Sequence, residues 1–391
     1  MTEGLMLYIV ISILYVSDCL VWVGRSSVLF SQKWFNSWRA IFASEYFGNN
    51  DGGVALLNPL LPLASNFLAH FIPFSISPAG VCAFTLRSFP SNSRYSTTAT
   101  VLTYEEISEV KTEGKYLLLN GERFVKCGSE EQAELFEKFI KKVSCEHIQI
   151  REKHICEFFA AQFSKVEALT QLTHLKSILA VLKWNCSGLF IIIYVIIPIL
   201  VNLYGLNRLV IPAAIIMIVT TLFISAYYWH VHKMFYPAQL LERTSNTLKM
   251  ILCPPTAIRA VDLMTLKGMS QYHPLLLAGL FLGSDSFLTF ARTVITDLKH
   301  PLRHEIMDSR AFAIISWHRT NELDACMKFL SKEYSITFYE LLAPPSWDGV
   351  SSRYCPRCSC QFTTQSGECP DCPGVELLPF SHAQTLERTH E

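Results

Sequence analysis

Two stretches without a single Asp, Glu, Lys or Arg, Gly188 to Leu206 and Leu209 to Trp229, constrain this chain more than anything else in it. As helices rising about 1.5 Å per residue, each comes to roughly 28–31 Å, the thickness of a bilayer's hydrocarbon core. Only Asn207 and Arg208 lie between them, so the pair predicts a helical hairpin. Pro198 and Pro212 fall inside the runs. That is tolerated in lipid, where neighbouring helices, local 3-10 adjustment or water satisfy the freed carbonyls. Tyr204, Tyr227, Tyr228 and Trp229 sit at the ends, where amphipathic rings prefer to be.

A third run, residues 4–24 (GLMLYIVISILYVSDCLVWVG), carries one charge, Asp18, and is read as a first spanning helix. A secretory signal needs a basic n-region, whereas Met1-Thr2-Glu3 supplies an acid and Arg25 follows the run. A lipoprotein signal fails because Asp18 precedes Cys19. The short flanks Arg25, Lys33 and Arg39, then Lys176 and Lys183, then Lys233 and Arg243 all fall on one side of these three spans. This predicts an outside N-terminus with the bulk of the chain and the C-terminus in the cytoplasm. The uncharged segment Gly52 to Leu86 would reverse that orientation if it crossed. Asn58-Pro59, Pro62, Asn66, His70 and Pro73 interrupt any helix there, so it is expected to be interfacial or buried and non-helical.

The overall composition, 50% hydrophobic and 17% charged over 391 residues, agrees with a membrane protein. With the runs set aside, the remainder is an ordinary globular fraction. Over the whole chain, 33 basic and 33 acidic residues give no net charge, so nothing points to nucleic acid.

From Val101 the pattern turns to period two. VLTYEEISEVKTEGKYLLLNGERFVKC reads as three strands with a tight Asn120-Gly121 turn. A helix over 130–143 follows, with Ser129 and Gln132 as a capping box and Ala133, Phe136, Phe139, Ile140 and Val143 on one face. FIPFSI and GVCAFTLRS add two strands upstream of a Ser/Thr-rich loop at 88–99. The result over 25–145 is a small antiparallel sheet closed by a helix. Over about residues 70–145 it resembles the pleckstrin-homology-like modules of many bacterial membrane proteins, and that resemblance implies interaction or positioning rather than chemistry. An unrelated α+β sheet remains the alternative.

Residues 146–186 read as one amphipathic helix, with Ile155, Phe158, Phe159, Phe163, Val166, Leu169, Leu172, Leu175, Leu179 and Leu182 on a stripe. Residues 230–345 read as a helical domain, in which LLLAGLFLG at 275–283 is too short to span and is taken as core.

Five of the 13 cysteines lie in YCPRCSCQFTTQSGECPDCPG, between positions 355 and 372. Two CxxC turns, Cys355/Cys358 and Cys369/Cys372, aim their sulfurs at one side, the pattern of a tetrahedral four-sulfur shell for a single structural Zn2+, with disulfides or an iron centre as the alternatives. Pro356 and Pro370 stiffen the turns, Ser366-Gly367 reverses the chain between them, and VELLPF offers a strand. The segment 352–380 resembles a zinc ribbon, with Ser359 and Pro373 where glycine is often found and Cys360 surplus. A closed shell of this kind holds a fold and does not activate water. Residues 381–391 are expected to be a flexible tail.

Asp18 is a functional suspect because charge is costly inside a span. It can instead reach the interface or stay protonated against Asn202. His230, His232, His300, His304 and Glu305 complete no motif, since Asp308 stands where a zinc-protease helix would need its second histidine. They are read as surface or interfacial. Cys19, Cys82, Cys127, Cys145, Cys156, Cys186, Cys253 and Cys326 are read as buried small hydrophobes. The chain has no phosphate loop, dinucleotide fingerprint or nucleophile elbow.

Taken together, the order of these parts is similar to uncharacterised bacterial integral membrane proteins with a C-terminal zinc ribbon. That likeness implies an architecture and an inner-membrane location. The expectation is a multi-domain α+β protein with three spans, anchored in the lipid bilayer and meeting a protein partner at its cytosolic face, with homo-oligomerisation left open. The alternatives are a membrane-embedded enzyme using Asp18 or the His300/His304 region, and a subunit of an oligomeric transporter.

Overall fold

A computed structural model describes residues 3–23, 27–30, 53–57, 67–86, 97–299, 308–356, 359–370 and 372–380. In chain order the elements begin with helix α1 (Glu3–Val23) and the short strands β1 (Ser27–Phe30), β2 (Gly53–Leu57) and β3 (Phe67–His70). Strands β4 (Ser75–Ser77), β5 (Gly80–Leu86), β6 (Thr97–Thr103), β7 (Val110–Glu113), β8 (Tyr116–Leu119) and β9 (Glu122–Lys126) follow. Next come helices α2 (Glu130–Ser144), α3 (Ile148–Ala161), α4 (Lys165–Ile178), α5 (Ala180–Ile191), α6 (Ile197–Tyr204), α7 (Leu206–Phe235), α8 (Leu240–Leu252), α9 (Pro254–Ala257) and α10 (Ala260–Met269). Helices α11 (Pro274–Phe281), α12 (Ser284–Lys299), α13 (Ser309–Tyr334) and α14 (Phe338–Leu341) lead to strands β10 (Arg353–Tyr354), β11 (Gln361–Phe362), β12 (Glu368–Cys369), β13 (Cys372–Glu376) and β14 (Leu378–Pro379). The chain is mostly helical with small, predominantly antiparallel sheets.

Two compact units divide these elements. The first holds α1, β1–β3 and Lys165–Gln271; the second holds Phe71–Ser164 and the described part of Tyr272–Glu391.

In the first unit, α5, a π turn at Ile192–Ile196 and α6 make one continuous apolar rod, and α7 returns beside it. Pro198 has no N–H to give the carbonyl of Tyr194, and the helix widens into its π turn immediately before it. The reversal falls at Gly205 rather than at Asn207-Arg208, because Gly205 takes φ 81°, the left-handed value that glycine adopts without a Cβ clash. Among the described residues two helices are long and apolar enough to cross a membrane, Ala180–Tyr204 and Ile211–Phe235, each of 25 residues.

Helix α1 forms over the expected third run as a 21-residue helix, Glu3–Val23, and its side chains are described over the apolar stretch Gly4–Leu14. It packs along the hairpin: Tyr194 Oη donates to the carbonyl of Ile11 (3.1 Å), and a Cβ on Gly4 would lie 2.8 Å from the carbonyl oxygen of Pro198.

In the second unit, β4–β5–β6 and β7–β8–β9 are two antiparallel meanders covered by α2 and α3. The Asn120-Gly121 turn forms as expected, with φ 55° and 82°, and the Asn120 amide also accepts from Ser108 N (2.8 Å) and donates to the carbonyl of Glu106 (2.8 Å). Ser129 caps α2 by accepting from Gln132 N (3.0 Å). The return bond differs from a capping box, since Gln132 Oε1 accepts from Gly128 N (2.9 Å), one residue before the cap. Ala133, Phe136, Ile140 and Val143 are buried against Phe74, Val81, Leu117 and Phe124, with Phe74 and Phe136 edge to face at 5.0 Å.

The single helix expected over 146–186 is divided. Helix α3 ends at Ala161 and α4 starts at Lys165, with Phe163 N and Ser164 N turning back to the carbonyls of Ala160 and Ala161. The break lets one sequence stripe serve two cores. Ile155 and Phe159 join the second unit, and Leu172, Leu175 and Leu182 are buried in the first. Val166, in α4's first turn, and Leu169, just after it, are left exposed. Residues 275–278 of α11 are core, as their length required.

Candidate functional site

The C-terminal segment builds its centre from very little. Strand β10 pairs antiparallel with both β11 and β14, and β12 pairs with β13 so that Cys369 stands opposite Cys372. Gly367 turns the chain at φ 132°, as the Ser366-Gly367 signal predicts. VELLPF is divided between β13 and β14. The buried apolar cluster comprises Cys355, Cys369, Val375 and Leu377, with Phe362 half-buried against them. Among the described residues this is a small core.

The backbone around the first CxxC is a closed turn. Ser359 N donates to the carbonyl of Cys355 (2.9 Å) and Cys355 N donates to that of Cys360 (2.9 Å). Ser359, the position where glycine is often found, takes φ 60°. The left-handed geometry is therefore kept without glycine. Arg292 of α12 stabilises this corner, donating through Nη1 to Ser359 Oγ, through Nε to the carbonyl of Leu341 (2.7 Å) and through Nη2 to that of Ala343 (3.3 Å). Burial pulls the Arg292 guanidinium below its ordinary pKa.

Cys355 and Cys369 are thus brought into one buried cluster. Cys358 and the side chain of Cys372 lie outside the described residues, and among the described residues no group of three or more His, Cys, Asp or Glu side chains is placed to hold a metal. The two described sulfurs, buried in one cluster, could serve as two of the four ligands of the Zn2+ shell expected from Cys355, Cys358, Cys369 and Cys372. Bound there, the ion would supply a cross-link and no open coordination position.

The other sequence candidates fare differently. The Asp18 side chain, His300, His304, Glu305 and residues 381–391 lie outside the described residues. His230 is exposed, as expected. His232 is not at the surface: it is fully buried on α7, with Nε2 3.2 Å from Lys267 Nζ. Lys267 is itself buried, ion-paired to Glu242 at 2.8 Å, hydrogen-bonded to Gln239 Oε1 and 4.5 Å from the centre of the Tyr236 ring. The α7–α8 turn folds these groups back onto α10, a juxtaposition that sequence spacing does not show. Cys82, Cys127, Cys186 and Cys326 are buried, whereas Cys145 and Cys156 are exposed and Cys253 is half-buried.

The second unit contains a constellation that the sequence reading missed. Glu322 on α13 accepts from His273 Nε2 at 3.2 Å with one oxygen and from His318 Nε2 at 3.3 Å with the other. His273 Nδ1 accepts from Leu275 N (3.1 Å) as the cap of α11, and His318 Nδ1 accepts from Ile76 N (3.1 Å) of β4. With both Nδ1 atoms receiving backbone hydrogens, each ring carries its proton on Nε2 and neither offers a lone pair to a metal. Although burial opposes the charge, the two histidine hydrogen bonds hold the Glu322 carboxylate far below the usual range. Phe159 and Phe163 pack on the rings, at 5.1 Å from His318 and 4.5 Å from His273. The only sequence trace of this cluster is the i, i+4 pair His318/Glu322 and the His273-Pro274 helix start.

Beside it, α3 and α13 flank a groove of about 220 Å³. Phe159, Phe163 and Phe329 line its apolar part, and Asp324, Lys328, Lys332 and Glu333 line its charged part. Cys156 at this groove donates weakly to Asn321 Oδ1 (3.6 Å), and partial desolvation raises its thiol pKa.

No family model, no curated protein and no solved structure matches the chain.

Proposed function

We propose that the protein is a membrane-anchored interaction protein. The α5–α7 hairpin fixes it in the bilayer, and a cytosolic part ending in a zinc-stabilised ribbon presents a surface to a protein partner. The observation that carries the reading is the outward-facing apolar surface of the hairpin. Only 28% and 22% of the two apolar windows are buried, and Ile199, Leu203, Ile211, Ile218, Val219 and Phe223 all face outward at 53% exposure or more. A contiguous belt of this kind is unstable against water and is stabilised by acyl chains.

Among the described residues of the second unit, Glu322 and Arg292 take structural roles. Glu322 and its two histidines hold β4, α11 and α13 together, and Arg292 fastens the ribbon corner. The α3–α13 groove, with aromatic side chains and opposite charges along it, has the shape and chemistry to take an apolar side chain of a partner. The basic flanks Lys176, Lys183 and Lys233 support a cytosolic side for the segments they adjoin.

The test has two parts. Membranes containing the full chain are washed with alkaline carbonate, and the protein is expected to stay with the pellet; its release would remove the anchor. Crosslinked capture from the native membrane is then run beside the Cys355→Ser/Cys369→Ser variant with zinc measured on both. A partner lost together with zinc supports the interaction reading, and an empty capture with zinc bound stoichiometrically counts against it.

A further inference from the structure

Helix α8 carries an apolar stripe that is exposed among the described residues. Leu241, Leu248 and Leu252 fall within about 40° of one another on a 100°-per-residue wheel, and they are 84%, 50% and 77% exposed. The opposite face is fixed to α7. Arg243 lies 4.8 Å from the Trp229 ring and donates to the carbonyl of Tyr236 (3.5 Å), Asn246 Nδ2 donates to Tyr228 Oη (3.1 Å), and Met250 is fully buried. As the α8 numbers rise the α7 partners fall, so α8 runs antiparallel, back along the helix that has just left the apolar core.

The consequence is one of depth. With Asn246 level with Tyr228, a rise of about 1.5 Å per residue sets Leu241 near residue 233 of α7 and Leu252 near residue 222, roughly 16 Å further along the axis. At that level α7 itself turns Val219, Leu222 and Phe223 outward, 61%, 47% and 53% exposed. The α8 stripe therefore continues the apolar belt of the hairpin. Its C-terminal end meets Pro254-Pro255, where the chain turns into α9 and leaves again through α10.

We infer that α8 is a re-entrant membrane helix, its stripe of Leu241, Leu248 and Leu252 lying against the acyl chains of the same leaflet and reaching deepest at Leu252. The inference rests on the reading of the hairpin as membrane-spanning. Acyl chains are the occupant because the stripe lies level with the outward belt of α7 and joins it, whereas Lys267, Glu242 and Gln239 are turned inward behind it.

The test uses the full chain in phosphatidylcholine/phosphatidylglycerol vesicles. A nitroxide is attached through a ketone-bearing amino acid, so that the native cysteines stay in place, at Leu241, Leu248 or Leu252, one site at a time. Ile215 serves as the hairpin reference and Lys328 as the water reference. Ser245, exposed on the same stripe, gives a further site that removes no leucine. The ratio of collisions with oxygen to collisions with a nickel chelate is expected to rise from Leu241 through Leu248 to Leu252. At Leu252 it should stand several-fold above Lys328 and near Ile215. A water-like ratio at all α8 sites with a lipid-like ratio at Ile215 overturns the re-entrant helix and leaves the hairpin reading standing. A water-like ratio at Ile215 overturns the hairpin reading itself. Sites shielded from both reagents, with dipolar broadening between labels, would mean that a second copy covers the stripe, which also overturns the inference.

Discussion

Glu322 and His318, four residues apart on α13, are joined at 3.3 Å inside the second unit, and His273 completes the arrangement from the other side at 3.2 Å. Both rings are donors at Nε2 because a backbone N–H occupies each Nδ1. The carboxylate is therefore the one acceptor that satisfies two buried donors at once.

Glu322→Gln breaks this pattern. An amide can accept from one histidine only, and its NH2 group then faces the other N–H. We expect a loss of about 2–4 kcal/mol, the range for removing one partner of a buried charged hydrogen-bond network. The unfolding midpoint of the purified protein in detergent should fall by roughly 5–15 °C. An unchanged midpoint would mean that the network contributes nothing.

The same residue sets an acid limit. Its folded pKa lies below the ordinary 4.5, so its contribution is fully present above about pH 4.5 and is lost as pH falls from there through the folded value. Stability measured between pH 7 and pH 3 should drop more steeply for the wild type below pH 4.5 than for Glu322→Gln. Parallel curves would contradict the assignment.

The ribbon is expected to hold one zinc ion per chain. Cys355→Ser or Cys369→Ser should abolish stoichiometric zinc, read by elemental analysis, and open residues 343–380 to limited proteolysis while the spans stay protected. Protease resistance equal to wild type in the zinc-depleted variant would show that the ion is not what stabilises the ribbon.

Gly279 on α11 is required by a neighbour rather than by its own backbone. A Cβ there would lie 2.1 Å from Tyr334 Oη and 3.4 Å from the Phe287 ring. Gly279→Ala should cost about 1–3 kcal/mol by overpacking. Adding Tyr334→Phe removes the nearest atom, so the double variant should be more stable than Gly279→Ala alone. Simple addition of the two losses would show that the contact is not the cause.

Much of the local architecture was legible in the residues. Asn120-Gly121 takes the two positive φ angles that its side chains permit, Ser129 caps α2, and the uncharged runs around Pro198 and Pro212 form the hairpin. These features are set within a few neighbouring positions, by steric limits on φ and by the absence of charge over a helix's length. The division of 146–186 was not legible, because no Gly or Pro marks the break at 162–164 and the stripe stays in phase across it. Nor was the burial of His232 beside Lys267, or of His273 and His318 on either side of Glu322.

The sequence by itself determined which runs are long and apolar enough to cross a membrane and where its strands turn, since each depends on composition or spacing along the chain. Tertiary structure alone decided which ionisable groups are buried together, that α8 runs back along α7, and that Arg292 holds Ser359 from 67 residues away. Those outcomes are contacts between segments distant in sequence, and they depend on desolvation and packing that exist only once the chain has folded.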